Sequence, residues 1–172
     1  MMKRMSFCLV VALCTSLWPF LALSSQNKVR NVPNVASDVD SVARRTLDAL
    51  REGDSQFLLT IVDREGISLG IDTPRMSVAR FREELVAKRG VYCVIFDSSC
   101  LGKNGKDSGS LSSIREILLK RPSKMSASSK VEGEPRVRTV VVRKADGSDD
   151  VLFTLMFRHE GDNWKLEQIE YE

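Results

Sequence analysis

The sequence predicts an α+β domain, with helices first and a sheet last. Three observations carry that prediction. Residues Arg136–Glu172 hold three strand-like runs separated by two turn signals. Residues Val39–Leu50 repeat apolar side chains at helical spacing. The last strands are apolar on one face near their turn and on both faces farther away. A sheet with a single covered face alternates cleanly, so packing is expected on each side of this one.

The first 24 residues read as a signal peptide. Lys3 and Arg4 form a basic start, Phe7–Leu23 is apolar, and Ala22-Leu23-Ser24 offers small residues for cleavage. The rival reading is a retained anchor, against which Pro19 and the short apolar run both count. Either reading carries the domain across a membrane, because basic residues stay inside; the expected location is periplasmic or secreted, with no membrane span left after cleavage. Residues 25–36 show no apolar periodicity and read as a flexible linker. Residues 37–172 read as a single α+β domain without internal repeats, large enough to bury a core without a metal or staple.

The chain carries 26 Lys and Arg against 23 Asp and Glu; without Lys3 and Arg4 that excess of three falls to one. A near-neutral domain is a poor partner for nucleic acid, where phosphate neutralisation dominates affinity. The basic stretch Gly102–Lys130 and the acidic stretch Asp146–Glu172 read as solvated faces. One His, and two Cys beyond the signal, leave a structural zinc site without ligands. No metal and no cofactor are implied.

The first helix is bounded by Ser37 or Asp38 as cap and Gly53 as stop. Val39, Val42, Ala43, Thr46, Leu47 and Leu50 form its apolar stripe. Asp54 starts a second helix with Phe57, Leu58, Ile61 and Val62 on one side, so the two helices turn sharply and share a core. Gly66–Asp72 alternates Ile67, Leu69 and Ile71 as a strand does, and Thr73-Pro74 breaks it. Ser77 caps a third helix, Val78–Arg89, with Val78, Ala79, Phe81, Leu85 and Val86 inward, ended by Gly90. Val91–Asp97, dense in apolar residues, is expected to be a strand buried on both faces. Gly102–Ser110 reads as a mobile polar loop. Leu111–Lys120 reads as a short helix in which Ser113 and Glu116 have capping-box spacing, and Pro122 stops it. Met125–Val131 reads as an edge strand.

Three strands close the chain: Arg136–Lys144, Val151–Glu160 and Trp164–Tyr171. Their β-branched and aromatic content favours strand over helix. Asp146-Gly147 and Gly161-Asp162 mark the turns. Closing the second turn is expected to set His159 opposite Trp164, Phe157 opposite Leu166, Leu155 opposite Gln168, and Phe153 opposite Glu170.

Cys93 and Cys100 are an even pair in an oxidising compartment and are expected to form a disulfide. An extended strand between them would hold them apart, which is the competing reading. For acid–base chemistry the candidate is Glu170: on an apolar face beside Phe153 its carboxyl would be raised by burial and suited to proton transfer. Gln168 could orient a ligand, with His159 or Tyr92 at the rim. The bland alternative for Glu170 is a solvated or ion-paired side chain near the chain end. Ser98-Ser99 lacks the glycines of a nucleophile elbow, and Asp146–Asp150 misses the calcium-loop spacing.

Two adjoining helices joined through Ala49-Leu50-Arg51-Glu52-Gly53-Asp54, then a strand, a helix, and a closing strand opening Trp164-Lys165-Leu166, together resemble the nuclear transport factor 2-like superfamily over Val39–Tyr171. The resemblance implies a cone: a curved antiparallel sheet wrapped around the N-terminal helices. The polar loop and short helix of Gly102–Lys120 depart from that pattern. Members of the superfamily include isomerases, dehydratases and cyclases as well as binding and assembly modules. The catalytic ones use carboxylate, Tyr or His groups inside the cone. No catalytic set of theirs matches this sequence; Gln168 and Glu170 lie on a strand that often lines the cavity. The expectation is a non-catalytic module that binds a small apolar ligand or an envelope protein, with a homodimer formed through the broad sheet. The alternative is an acid–base enzyme working through Glu170.

Overall fold

The computed structural model describes residues 38–101 and 112–171. The expected signal (1–24), linker (25–36) and polar loop (102–110) lie outside the described residues.

Helix α1 spans Val39–Glu52. The Asp38 carboxylate accepts from the Asp40 N–H, and Gly53 closes the helix in the left-handed region at φ +82°, donating to the Ala49 carbonyl. Asp54 then caps helix α2, Ser55–Ile61, by accepting from the Phe57 N–H at 2.9 Å. Two opposed caps on consecutive residues make the sharp turn that the sequence implies. Ala43, Leu47, Leu50 and Leu58 are buried by it. Thr46 is fully buried as well, its hydroxyl satisfied by the Val42 carbonyl at 2.8 Å.

The segment after α2 is less of a strand than expected. Only Ser68–Leu69 form strand β1, while Ile67 turns to bridge Met76. Helix α3, capped by Ser77, spans Val78–Val86 and stops short of Arg89 because Lys88 adopts φ +50°. Phe81 and Leu85 are its buried residues; Ala79 and Val86, expected inward, are exposed.

Val91–Asp97 is not a strand. Val91–Ile95 form helix α4, and a 3-10 turn follows at Ser98–Cys100. A short apolar run does not distinguish the two states by period. Here the helix places Val91 and Ile95, four apart, both in the core, and brings the Tyr92 and Phe96 rings to 5.4 Å. Coiling this segment also decides the cysteines. Cys93 and Cys100 are joined in a disulfide with their Cα atoms 5.5 Å apart. Helix α5, Ile114–Lys120, is capped by Ser113, whose hydroxyl accepts from the Glu116 N–H. The Glu116 carboxylate takes the Ser98 hydroxyl at 2.7 and 2.8 Å and so ties α5 to the disulfide segment.

The sheet carries Ser123–Met125 (β2), Ser129–Val131 (β3), Glu134–Lys144 (β4), Val151–Glu160 (β5) and Asn163–Glu170 (β6). Its order is β1-β6-β5-β4-β2, with β3 also on β4. The single expected strand Met125–Val131 is thus two short ones. The β1–β6 pair is parallel, so the sheet is mixed rather than purely antiparallel. It is open, not closed into a barrel. All five helices pack on one face, made by Val140, Val142, Phe153, Leu155, Phe157, Leu166 and Ile169. The other face, with Thr139, Val141, Thr154 and Met156 half-buried and Val137 fully buried, carries no helix among the described residues.

Two bulges bend these strands. On β5, Val142 faces Phe153 while Arg143 faces Val151, which leaves Leu152 as an extra residue. On β6, Phe157 faces Leu166 while Met156 faces Gln168, which leaves Glu167 extra. A bulge reverses the face of everything beyond it. His159 does face Trp164, and Phe157 does face Leu166. Beyond Glu167, however, Leu155 meets Ile169, Met156 meets Gln168, and Thr154 meets Glu170. Strict alternation had put Gln168 and Glu170 on the apolar face; the bulge gives that place to Ile169.

Candidate functional site

A cavity of about 620 Å³ opens where β4 ends, β5 begins and β6 ends. The bulge at Leu152 builds its floor, since two consecutive residues, Leu152 and Phe153, both line it. Ile117 of α5 and Tyr171 after β6 complete the apolar surface. Burial pushes the Tyr171 phenol up from its ordinary value, so the ring stays neutral. Ile71 and Val151 stand at the rim, 49% and 52% exposed.

Four charged groups also line the cavity: Arg121, Lys144, Asp150 and Glu170. The Lys144 ammonium is ion-paired with the Asp150 carboxylate and holds that carboxyl below its usual range. Glu170 stands beside Thr154, half-buried, with no hydrogen-bond or ion-pair partner among the described residues.

The four candidate ligand residues are not gathered here. Only Glu170 lines the cavity. Gln168 lies on the helix-free face, its amide donating to the Gly70 carbonyl at 3.2 Å. His159 stacks on Trp164 with ring centres 4.8 Å apart. Five residues of strand separate it from Thr154, roughly 17 Å at strand rise. Tyr92 packs on α4 against Phe96, with the Lys88 ammonium 5.9 Å from its ring centre.

A second cluster had no signal in the sequence. Asp63 and Glu167 are both buried, yet both are ionisable. Arg75 reaches Asp63 at 3.7 Å and also pairs with Glu167. Arg158 donates to the same Glu167 oxygen at 2.7 Å, and this hydrogen bond raises the guanidinium's already high pKa. The more exposed Glu65 and Glu134 also reach Arg75 and Arg158, at 3.2 and 3.9 Å; the two buried carboxylates each have a guanidinium partner, which is how buried charge is tolerated. The cluster forms because the bulge turns Glu167 toward Arg158 on the neighbouring strand. It locks the segment after α2 to β6.

The fold and cavity define a class: a small-pocket α+β domain with helices on one face of a bent, open, mixed sheet. Among solved structures the chain is similar to a designed protein of nuclear transport factor 2 type, at 15% identity and a TM-score of 0.36, over 78% of this chain and 100% of that one. No family model matches the sequence, and no curated protein is significantly similar to it. No helix among the described residues is long and apolar enough to cross a membrane.

Proposed function

We propose that the chain is an exported, non-catalytic binding module that takes a small apolar ligand, or an apolar element of an envelope protein, at the open end of its sheet. The observation that carries this reading is the pair of half-exposed aliphatic side chains, Ile71 and Val151, at the rim of a cavity floored by Leu152 and Phe153. Apolar surface held open beside a cavity of this size is the usual makeup of a ligand site. Export is supported by the leader pattern in residues 1–24 and by the Cys93–Cys100 bridge, since structural disulfides belong to oxidising compartments. The helix-free sheet face, with Val141 and Met156 half-exposed, supports pairing of two copies.

The enzyme alternative rests on Glu170 alone. A general acid or base works with a second polar group in hydrogen-bond reach of the substrate. Glu170 makes no hydrogen bond or ion pair with any of the described residues, the other polar groups of the cavity included, which favours binding over catalysis.

The test is titration of the mature protein with an environment-sensitive apolar fluorophore. Saturable binding is expected, weakened at least tenfold by Ile71→Asp or Val151→Asp, with melting temperatures unchanged. Absence of saturable binding overturns the reading. Non-reducing mass spectrometry of the exported form checks the leader and the bridge, and sedimentation equilibrium checks the pairing.

A further inference from the structure

The charges of the cavity are laid out in a way that defines the ends of its ligand. Lys144 and Asp150 neutralise each other, whereas Arg121 and Glu170 line the same cavity and pair with nothing among the described residues. They stand on opposite sides of it. Glu170 is on β6; Arg121 ends α5 just before β2, and the next residue, Pro122, accepts from the Ala145 N–H at 2.8 Å beside β4. Three strand spacings, roughly 14 Å across the sheet, and the four positions from Val141 (level with Glu170 through Thr154) to Ala145, roughly 13 Å along it, put the two backbones about 19 Å apart. Side chains reaching inward shorten the distance between the charges themselves. Between them lies the apolar floor of Leu152 and Phe153.

We propose that the cavity binds a short apolar peptide with free ends, two to four residues long, its carboxylate on Arg121 and its ammonium on Glu170. The inference rests on the binding reading above and names its ligand class. An extended peptide advances about 3.4 Å per residue, so two to four residues span the gap. The planar guanidinium fork of Arg121 matches a terminal carboxylate. A simple fatty acid matches less well, because it would lay hydrocarbon against the Glu170 carboxylate and leave that charge without a counterpart. A longer protein segment has no free ends at this spacing.

The experiment is calorimetric titration of the mature chain with trileucine, its N-acetyl form, its C-amide form and the doubly blocked peptide. Blocking either end is expected to weaken binding about fivefold, the scale of a partly solvated charge pair. Glu170→Gln should erase the acetylation penalty and leave the amidation penalty; Arg121→Gln should do the reverse. Circular dichroism confirms that both variants fold, and the blocked peptides test the idea without any variant. Equal affinity for all four peptides overturns end recognition, while apolar binding stands. Penalties that survive in both variants overturn the assignment to Arg121 and Glu170. If no peptide binds but the fluorophore still responds to Val151→Asp, the ligand class is wrong and the binding reading stands. If neither binds, both fall.

Discussion

Arg75 and Glu167, 92 positions apart in the chain, meet as an ion pair at the bulge of β6. The carboxylate is buried and is shared with Arg158. Two of the cluster's buried atoms, Arg158 Nε and Glu167 Oε2, have no partner among the described residues. The net worth of the cluster is therefore modest, but breaking it leaves guanidiniums facing one another without their anion. Glu167→Ala is expected to cost about 2–4 kcal/mol, below the usual loss for a fully buried pair because both arginines keep some solvent. Glu167→Gln, which retains an acceptor, should cost less. Urea unfolding measures both; equal stability of Glu167→Ala and the parent would show that the cluster holds nothing.

Glu84 caps a helix to which it does not belong. Gly90, at the start of α4, has no side chain, and the Glu84 carboxylate accepts from the Val91 N–H at 2.9 Å in its place. That backbone bond, ahead of Arg80, holds the Glu84 carboxyl below its ordinary value of 4.5. A depressed folded-state pKa gives stability that is fully present above the unfolded value and is lost as pH falls through the folded one. The contribution should fade from about pH 4.5 downward. Glu84→Gln should flatten that part of the stability curve, read by denaturant midpoints between pH 6 and pH 3. Gly90 itself sits at φ +51°, and a Cβ there would lie 2.4 Å from the Glu84 carboxylate. Gly90→Ala should thus lose both the turn and the cap.

Reduction of the Cys93–Cys100 bridge should loosen the segment that α5 holds through Ser98 and Glu116. The closed loop is short, so the chain-entropy contribution is about 2–3 kcal/mol. A double Cys→Ser variant should melt lower by a matching amount and should become insensitive to added thiol. A parent protein whose melting point ignores thiol would mean that the bridge contributes nothing.

The two faces of the sheet make opposite predictions. Phe157 is fully buried under the helices, and Phe157→Ala should cost about 3–5 kcal/mol. Val141 lies on the helix-free face and is half-exposed. Val141→Ala should cost about 1 kcal/mol or less in dilute monomer. Similar losses at the two positions would place packing on both faces, as the sequence pattern had suggested.

Legibility followed the reach of the interaction. The caps at Asp38, Asp54, Ser77 and Ser113 are local, and each was readable because a side chain and an N–H two or three residues on settle it. The last three strands were readable because β-branched runs and turn pairs are local too. Val91–Asp97 was misread because a short apolar run is compatible with either state until the chain around it is folded. The cavity's rim, at Ile71, Val151 and Arg121, left no pattern, since those residues come together only through strand order and the end of α5.

The sequence by itself determined the first two helices, the capped starts of α3 and α5, the last three strands, the pairing next to the Gly161 turn, and the parity of the two cysteines beyond residue 24. Tertiary structure alone decided which way Gln168 and Glu170 face. Alternation is a rule of period two, and one extra residue resets it; here that residue is Glu167, whose charge is held by Arg75 from the segment after α2 and Arg158 from the neighbouring strand.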